Sequence, residues 1–118
     1  MRLEGSFYRV ISSAAVEGGY DFELVLVKDH PIYEGHFPGQ PVVPGMCTLT
    51  IVRECLASVL GKAVMFSSIK ECKFLSALIP DKDLAVTLHL NLSGEDVSCV
   101  IESAGAPVFK VKAKYSFI

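Results

Sequence analysis

The sequence predicts an α+β fold in which one long helix packs against an antiparallel β-sheet. Several segments alternate apolar and polar residues with a period of two, the pattern of strands that bury one face. One segment, residues 46–60, contains neither glycine nor proline. Placed at 100° per residue, it is apolar over most of its circumference. Because a helix this apolar needs cover on several sides, we expect the sheet to wrap around it.

The clearest alternation lies near the C-terminus. Every second side chain is apolar in residues 84–92, and residues 97–101 and 109–117 repeat the pattern. Glycine-containing turns at 93–96 and 104–107 join these segments, so they are expected to form an antiparallel meander.

Three further strands are predicted earlier in the chain. Residues 7–11 and 22–27 have strand composition and are joined through Glu17-Gly18-Gly19, and residues 64–74 supply another strand. Pro44-Gly45 is a suitable turn into the helix. Since 118 residues is the usual size of one domain, we expect a single domain over residues 1–118.

The composition narrows the classes of function. The net charge is −2 and the basic residues are scattered, so there is no footprint for nucleic acid. No signal peptide or membrane-length apolar run is present, which predicts a cytoplasmic protein. The four cysteines lack C-x-x-C spacing, so neither zinc nor a disulfide framework is expected, and we interpret them as reduced core residues. Just over half of the residues are apolar, which favours a subunit interface or an apolar ligand pocket.

A loop rich in proline and glycine precedes the helix. Residues 29–45 contain four prolines and three glycines, which together fix a backbone path. This loop holds His36 near the predicted helix N-terminus. Unpaired N–H groups and partial positive charge at that end can polarise a thioester carbonyl.

The loop resembles a known signature. Its residues Gly35-His36-Phe37-Pro38, Pro41 and Pro44-Gly45 match G-H-F-P-x-x-P-x-x-P-G of the FabZ and FabA families of dehydratases. Residues 73–84 resemble the later K-F-x-x-P-V-x-P-G-D-x-L segment, with Ala77 and Asp81 where proline and glycine are usual. The resemblance implies a hot-dog fold, a long central helix wrapped by an antiparallel β-sheet.

The resemblance also implies a reaction. It is dehydration of a (3R)-hydroxyacyl chain on acyl carrier protein to the trans-2-enoyl thioester, in fatty-acid or related acyl-chain synthesis, without a metal or other cofactor. His36 would be the base, the Gly45 N–H would bind the thioester oxygen, and Phe37 and Met46 would contact the substrate. A helix carboxylate of a partner subunit would complete the site, which implies a homodimer or a trimer of such dimers.

The sequence departs from the family at that carboxylate. Its position, fourteen residues after the histidine, is Thr50, and a hydroxyl cannot serve as the acid or base. Glu54 is the nearest carboxylate, about 6 Å further along the helix. Thr50 could line the substrate pocket and hold a bridging water, or it could hydrogen-bond back to the helix. Glu54 is therefore a catalytic candidate, and the alternative is a structural carboxylate paired with an arginine such as Arg53.

Other polar residues are expected to be structural. We predict that His30 and His89 are solvated and that the lysines at 110, 112 and 114 form a solvated sheet face or meet an acidic carrier protein. Two alternative functions stay open. One is thioester hydrolysis that uses Glu54, and the other is a non-catalytic subunit that binds an acyl chain or carrier protein.

Overall fold

The computed structural model of the protein describes residues 2–33, 43–79 and 83–118. Its elements in chain order are β1 (Tyr8–Val16), β2 (Gly19–Leu26), a 3₁₀ turn (Pro31–Tyr33), α1 (Gly45–Leu60), β3 (Val64–Phe74), β4 (Leu84–Ser93), β5 (Asp96–Ser103) and β6 (Ala106–Phe117). The predicted helix and all of the predicted strands are present. β1 continues five residues beyond its predicted end at Ile11, and the 3₁₀ turn was not predicted.

All six strands belong to one antiparallel sheet in the order β1-β2-β4-β5-β6-β3. Hairpins connect β1 to β2 and then β4 through β6. β3 follows the helix and pairs with β6, so β1 and β3 form the two edges of the sheet. This arrangement confirms the predicted α+β hot-dog fold.

The core lies between α1 and one face of the sheet. The inward positions of β2, β4, β5 and β6 are almost fully buried, as their alternation predicts. The helix contributes a stripe of buried residues to this core: Cys47, Thr48, Ile51, Val52, Cys55 and Leu56. Its C-terminus is closed by Gly61, whose positive φ of 73° lets its N–H reach the carbonyl of Ala57.

The N-terminal segment packs against the helix. Leu3 and Phe7 are 2% and 0% exposed, so both are core residues although they precede the first strand. Within residues 2–33, 43–79 and 83–118, no helix combines the length and apolar character that a bilayer span requires.

The cysteines are all unpaired. Three are buried as predicted, but Cys72 is exposed on the edge strand β3, so its assignment to the core was wrong. The reason is that β3 has no neighbour on its outer side and exposes most of its residues.

Candidate active site

The residues of the proline-rich loop divide between described and undescribed parts of the chain. His36 and Phe37, with Gly35, Pro38 and Pro41 of the same motif, lie outside the described residues, so their roles stay predictions. The structure does describe the end of the motif, where Pro44-Gly45 begins the helix. It also places the remaining candidates, Met46, Thr50 and Glu54.

The N-terminus of α1 offers hydrogen-bond donors without a side-chain cap. Pro44 is extended and its carbonyl accepts hydrogen bonds from the N–H groups of Cys47 at 3.0 Å and Thr48 at 3.2 Å. No hydrogen bond joins the N–H groups of Gly45 or Met46 to another described residue. The first turn also lacks an acidic side chain. Donors at a helix N-terminus are suited to binding a carbonyl oxygen that gains negative charge.

Gly45 allows the end of β3 to lie directly on the helix start. A Cβ atom at this position would lie 2.9 Å from Cζ of Phe74, which is too close for a normal contact. Phe74 also stacks against Phe109, with 4.9 Å between the ring centroids. The glycine of the motif therefore has a packing reason that is visible in this structure. Met46, beside it, is 76% exposed and makes no contribution to the core.

An apolar cavity adjoins this end of the helix. It has a volume of about 280 Å³ and lies between the first turn of α1, the segment that follows β3, and the start of β6. Its apolar lining side chains are Val43, Phe74, Leu78, Val108 and Phe109. A cavity of this lining suits an acyl chain better than a charged or strongly polar ligand.

Thr50 and Glu54 both have partners inside the chain. The Thr50 hydroxyl donates to the carbonyl of Met46 at 2.9 Å, which is the back-bonding arrangement considered above. The Glu54 carboxylate accepts three hydrogen bonds, from the N–H of Leu3 at 2.8 Å, the N–H of Glu4 at 2.9 Å and the hydroxyl of Tyr8 at 3.0 Å. Glu54 therefore ties the N-terminal segment to the middle of the helix.

The neighbours of Glu54 are weak acids in this environment. Burial raises the pKa of the Tyr8 phenol well above its usual range, and the nearby Cys55 and Glu54 raise it further. Burial likewise raises the pKa of the Cys55 thiol to about 12. Both groups stay protonated near neutral pH, so Tyr8 acts here as a hydrogen-bond donor to the carboxylate.

The other two histidines are more constrained than predicted. The ring of His89 lies between two carboxylates on the outer face of the sheet, with Nδ1 2.7 Å from Asp21 and Nε2 2.6 Å from Glu102. His30 accepts a hydrogen bond from the N–H of Ile32 and packs edge-on against Phe7. The prediction that both are simply solvated was wrong: His89 has partners on the two neighbouring strands, and His30 has a hydrogen bond within its own turn and a ring contact with Phe7.

The three lysines of β6 do form an exposed outer row. Lys110 and Lys112 are exposed and Lys114 is half-buried. Lys112 and Lys114 approach Glu71 and Asp96 at 3.9 and 3.4 Å. Among the described residues, no cluster of three or more His, Cys, Asp or Glu side chains has a geometry that could hold a metal ion.

Thr48 is the site residue that the sequence reasoning missed. Its side chain lines the cavity and is only 3% exposed. A signal was available, since Thr48 shares the spacing i, i+3, i+4, i+7 with Ile51, Val52 and Cys55 and so lies on the buried face of the helix.

Comparison with known proteins gives a consistent result. The family model described as ApeI-like, ApeI dehydratase, matches residues 13–110. The chain is 29% identical over 87 residues to the 3-hydroxyacyl-[acyl-carrier-protein] dehydratase FabZ of Paramagnetospirillum magneticum, a match that covers 66% of this chain and 53% of that protein. FabZ of a Thermoanaerobacter species is 32% identical over 77 residues, with 56% and 51% covered. The chain thus spans about half the length of the curated relatives that it matches.

Two solved structures share the fold over nearly the whole chain. The dehydratase heterocomplex ApeI:P of Xenorhabdus doucetiae superposes with a TM-score of 0.72 at 22% identity, covering 90% of this chain and 95% of that one. An uncharacterized protein of Erwinia carotovora subsp. atroseptica gives 0.69 at 24% identity, with 92% and 95% covered. At these identities the likeness shows the hot-dog fold.

Proposed function

Because the chain belongs to the ApeI-like dehydratase family, we propose that it takes part in the dehydration of a (3R)-hydroxyacyl chain on acyl carrier protein to the trans-2-enoyl thioester. The observation that carries this proposal is the start of α1. There, N–H donors without partners among the described residues adjoin an apolar cavity, directly after the His36 loop.

In the proposed reaction, the acyl chain enters the cavity and the thioester oxygen accepts a hydrogen bond from the Gly45 N–H. His36 removes the proton from Cα, and the helix N-terminus stabilises the enolate-like oxygen that results. The electron pair then forms the Cα=Cβ bond as the Cβ–O bond breaks, and the hydroxyl leaves as water after it gains a proton. The elimination is redox-neutral. Met46 and Phe37 are proposed substrate contacts at the mouth of this site.

The donor of the final proton is the open element of this scheme. Glu54 would have to give up three hydrogen bonds to act as the acid, and the Thr50 hydroxyl is turned back to the helix. We therefore propose that Glu54 is an anchor for the N-terminal segment and that the acid comes from another chain. The same commitment of Glu54 disfavours its use in thioester hydrolysis.

A shared site requires a subunit contact, and β3 is the surface that we propose for it. Among the described residues this edge strand pairs only with β6, and it exposes Met65, Ile69 and Phe74, which are 48%, 46% and 55% exposed. An unpaired apolar edge is a ready template for a second copy or a related chain. Contact there would bring a partner close to Phe74 and the helix start.

The test is to incubate purified protein with (3R)-hydroxyacyl thioesters on acyl carrier protein and to follow the products by mass spectrometry. We expect no loss of water from the chain alone, and with a partner chain that supplies a helix carboxylate we expect loss of water that disappears in His36→Ala and persists in Glu54→Gln. Activity lost in Glu54→Gln with unchanged folding would instead make Glu54 the acid. Release of free thiol without water loss would indicate thioester hydrolysis.

The missing free carboxylate on the helix also indicates what kind of partner the chain needs. The chain would be the histidine-bearing subunit of a heteromeric dehydratase, in line with the heterocomplex to which its fold is similar. Native chain alone would then be inactive. Mixing it with a His36→Ala, Thr50→Glu double variant, which supplies the carboxylate but not the base, should restore water loss. Inactivity of that mixture despite mixed-dimer formation would count against a shared site.

A further inference from the structure

The cavity beside the helix start is a built feature of the fold. Its walls are joined by backbone hydrogen bonds, from the Val43 N–H to the Leu78 carbonyl at 2.9 Å and from the Leu75 N–H to the Val108 carbonyl at 2.8 Å. Two of its lining residues, Ser76 and Ala77, are exposed, so the cavity lies near the protein surface. The backbone hydrogen bonds hold its described walls in place.

One polar side chain lies inside this apolar lining. Thr48 is 3% exposed, and no hydrogen bond joins its hydroxyl to any of the residues that the structure describes. The other two hydroxyl side chains of α1 behave differently. Thr50 donates to the carbonyl of Met46 at 2.9 Å and Ser58 donates to the carbonyl of Cys55 at 2.7 Å. Of the three residues, Thr48 alone lines the cavity.

A buried hydroxyl is unfavourable where it has lost water without gaining a partner, and the described part of the chain offers Thr48 none. A ligand oxygen in the cavity would remove this penalty, whereas a purely hydrocarbon chain would leave it in place. The hydroxyl of threonine can donate and accept at once, so it can pair with an alcohol on the ligand.

The position of Thr48 selects which oxygen it would meet. It lies three residues after Gly45, about 4.5 Å further along the helix axis, and helical side chains lean toward the N-terminus. With the thioester oxygen at the Gly45 N–H, the β-carbon and its hydroxyl lie a few ångströms deeper, next to Thr48.

Building on the proposed function, we propose that Thr48 recognises the β-hydroxyl of the substrate and makes the cavity selective for 3-hydroxyacyl over saturated and 2-enoyl chains. The product lacks the hydroxyl and so loses this bond. Thr48 is thus a specificity-determining residue, and its hydrogen bond favours binding of substrate and release of product.

Equilibrium binding tests this in a His36→Ala background, which prevents turnover. The probes are pantetheine thioesters of (3R)-hydroxyhexanoate, hexanoate and trans-2-hexenoate. We expect the hydroxyacyl probe to bind roughly threefold to tenfold more tightly than hexanoyl, the range of one neutral hydrogen bond. Thr48→Val, which replaces the hydroxyl by a methyl of similar size, should bring the ratio near one. Thr48→Ser should keep the preference, and Ser58→Ala, which removes a hydroxyl of α1 that does not line the cavity, is the control that should leave it unchanged.

The outcomes separate this proposal from the proposed function. If the preference survives in a folded Thr48→Val variant, or if none of the probes binds, the role of Thr48 is overturned. If the preference depends on Thr48 but the native chain removes no water even in the mixed-subunit assay, recognition stands and the dehydratase function fails. If water is lost and Thr48→Val leaves the ratio unchanged, the function stands and this inference fails.

Discussion

Replacing Glu54 with alanine is expected to lower the free energy of unfolding by about 3–6 kcal/mol. The carboxylate accepts hydrogen bonds from the N–H groups of Leu3 and Glu4 and from the Tyr8 hydroxyl. Bonds to a charged acceptor contribute about 1.5–3 kcal/mol each when they are shielded. Glu4 is exposed, so water can replace its bond, and the loss comes mainly from the other two.

The loss has a second route through the N-terminal segment. If the segment detaches when its anchor is removed, the buried side chains of Leu3 and Phe7 become exposed, at about 1.5–3 kcal/mol each. The protein will follow whichever route loses less free energy, and that loss is the value measured. Glu54→Gln keeps one acceptor oxygen, so we expect about half of the effect.

Urea denaturation of native, Glu54→Gln and Glu54→Ala protein measures these differences. Hydrogen exchange at the amides of Leu3 and Glu4 locates them, because both amides should exchange faster without the carboxylate. The control is Glu17→Ala in the exposed β1–β2 turn, which should change stability by less than about 0.5 kcal/mol. A Glu54→Ala midpoint equal to that control, with both amides still protected, would refute the anchoring role.

Three further predictions rest on other parts of the molecule. The carboxylates of Asp21 and Glu102 raise the pKa of His89, so its ion pairs stabilise the fold below the unfolded pKa of about 6.5 and this contribution fades as the pH rises through the folded pKa. The difference in unfolding free energy between native protein and His89→Gln should therefore decrease from pH 6 to about 8, by no more than about 1 kcal/mol. A difference in urea midpoints that does not change with pH would contradict this prediction. Thr48→Val should raise the free energy of unfolding, measured in urea titrations, by up to about 1 kcal/mol, because it removes a buried hydroxyl that has no partner among the described residues. A clear loss of stability would show that the hydroxyl has a partner. A thiol reagent should label one cysteine of the native protein, Cys72, because it is exposed and the other three are buried. Equally fast labelling of a second site, measured by intact mass, would contradict this prediction.

The fold was predictable because its strands and its helix each bury an apolar face. Alternation located β4, β5 and β6 nearly to the residue. It located β1 less well, since residues 12–15 are all exposed and carry no periodic pattern. Their strand conformation comes from pairing with β2, from Ser12 opposite Glu23 to Val16 opposite Gly19. Such pairing is a tertiary property that one segment alone does not encode.

The site was predictable where a motif identifies it and obscure where partners are distant in sequence. The packing of Phe74 on Gly45 joins residues 29 positions apart, and the bonds from Leu3 and Glu4 to Glu54 span 51 and 50 positions. No local pattern reveals such contacts, because they depend on how the N-terminal segment and β3 cross the helix. The two hydrogen bonds of His89, to Asp21 and Glu102, likewise depend on the register of three strands.

The polar groups in the first three turns of α1 divide into two kinds, and this division bears on the chemistry. Thr50 and Glu54 form hydrogen bonds within the chain, Thr50 to Met46 and Glu54 to the N-terminal segment. The N–H groups of Gly45 and Met46 and the hydroxyl of Thr48 have no partners among the described residues. The groups left open can bind a thioester oxygen and an alcohol, but near neutral pH none of them can deliver a proton to a leaving hydroxide as a carboxylic acid would. On this reasoning α1 supplies recognition and oxyanion stabilisation, and a complete dehydration needs an acid from a second chain.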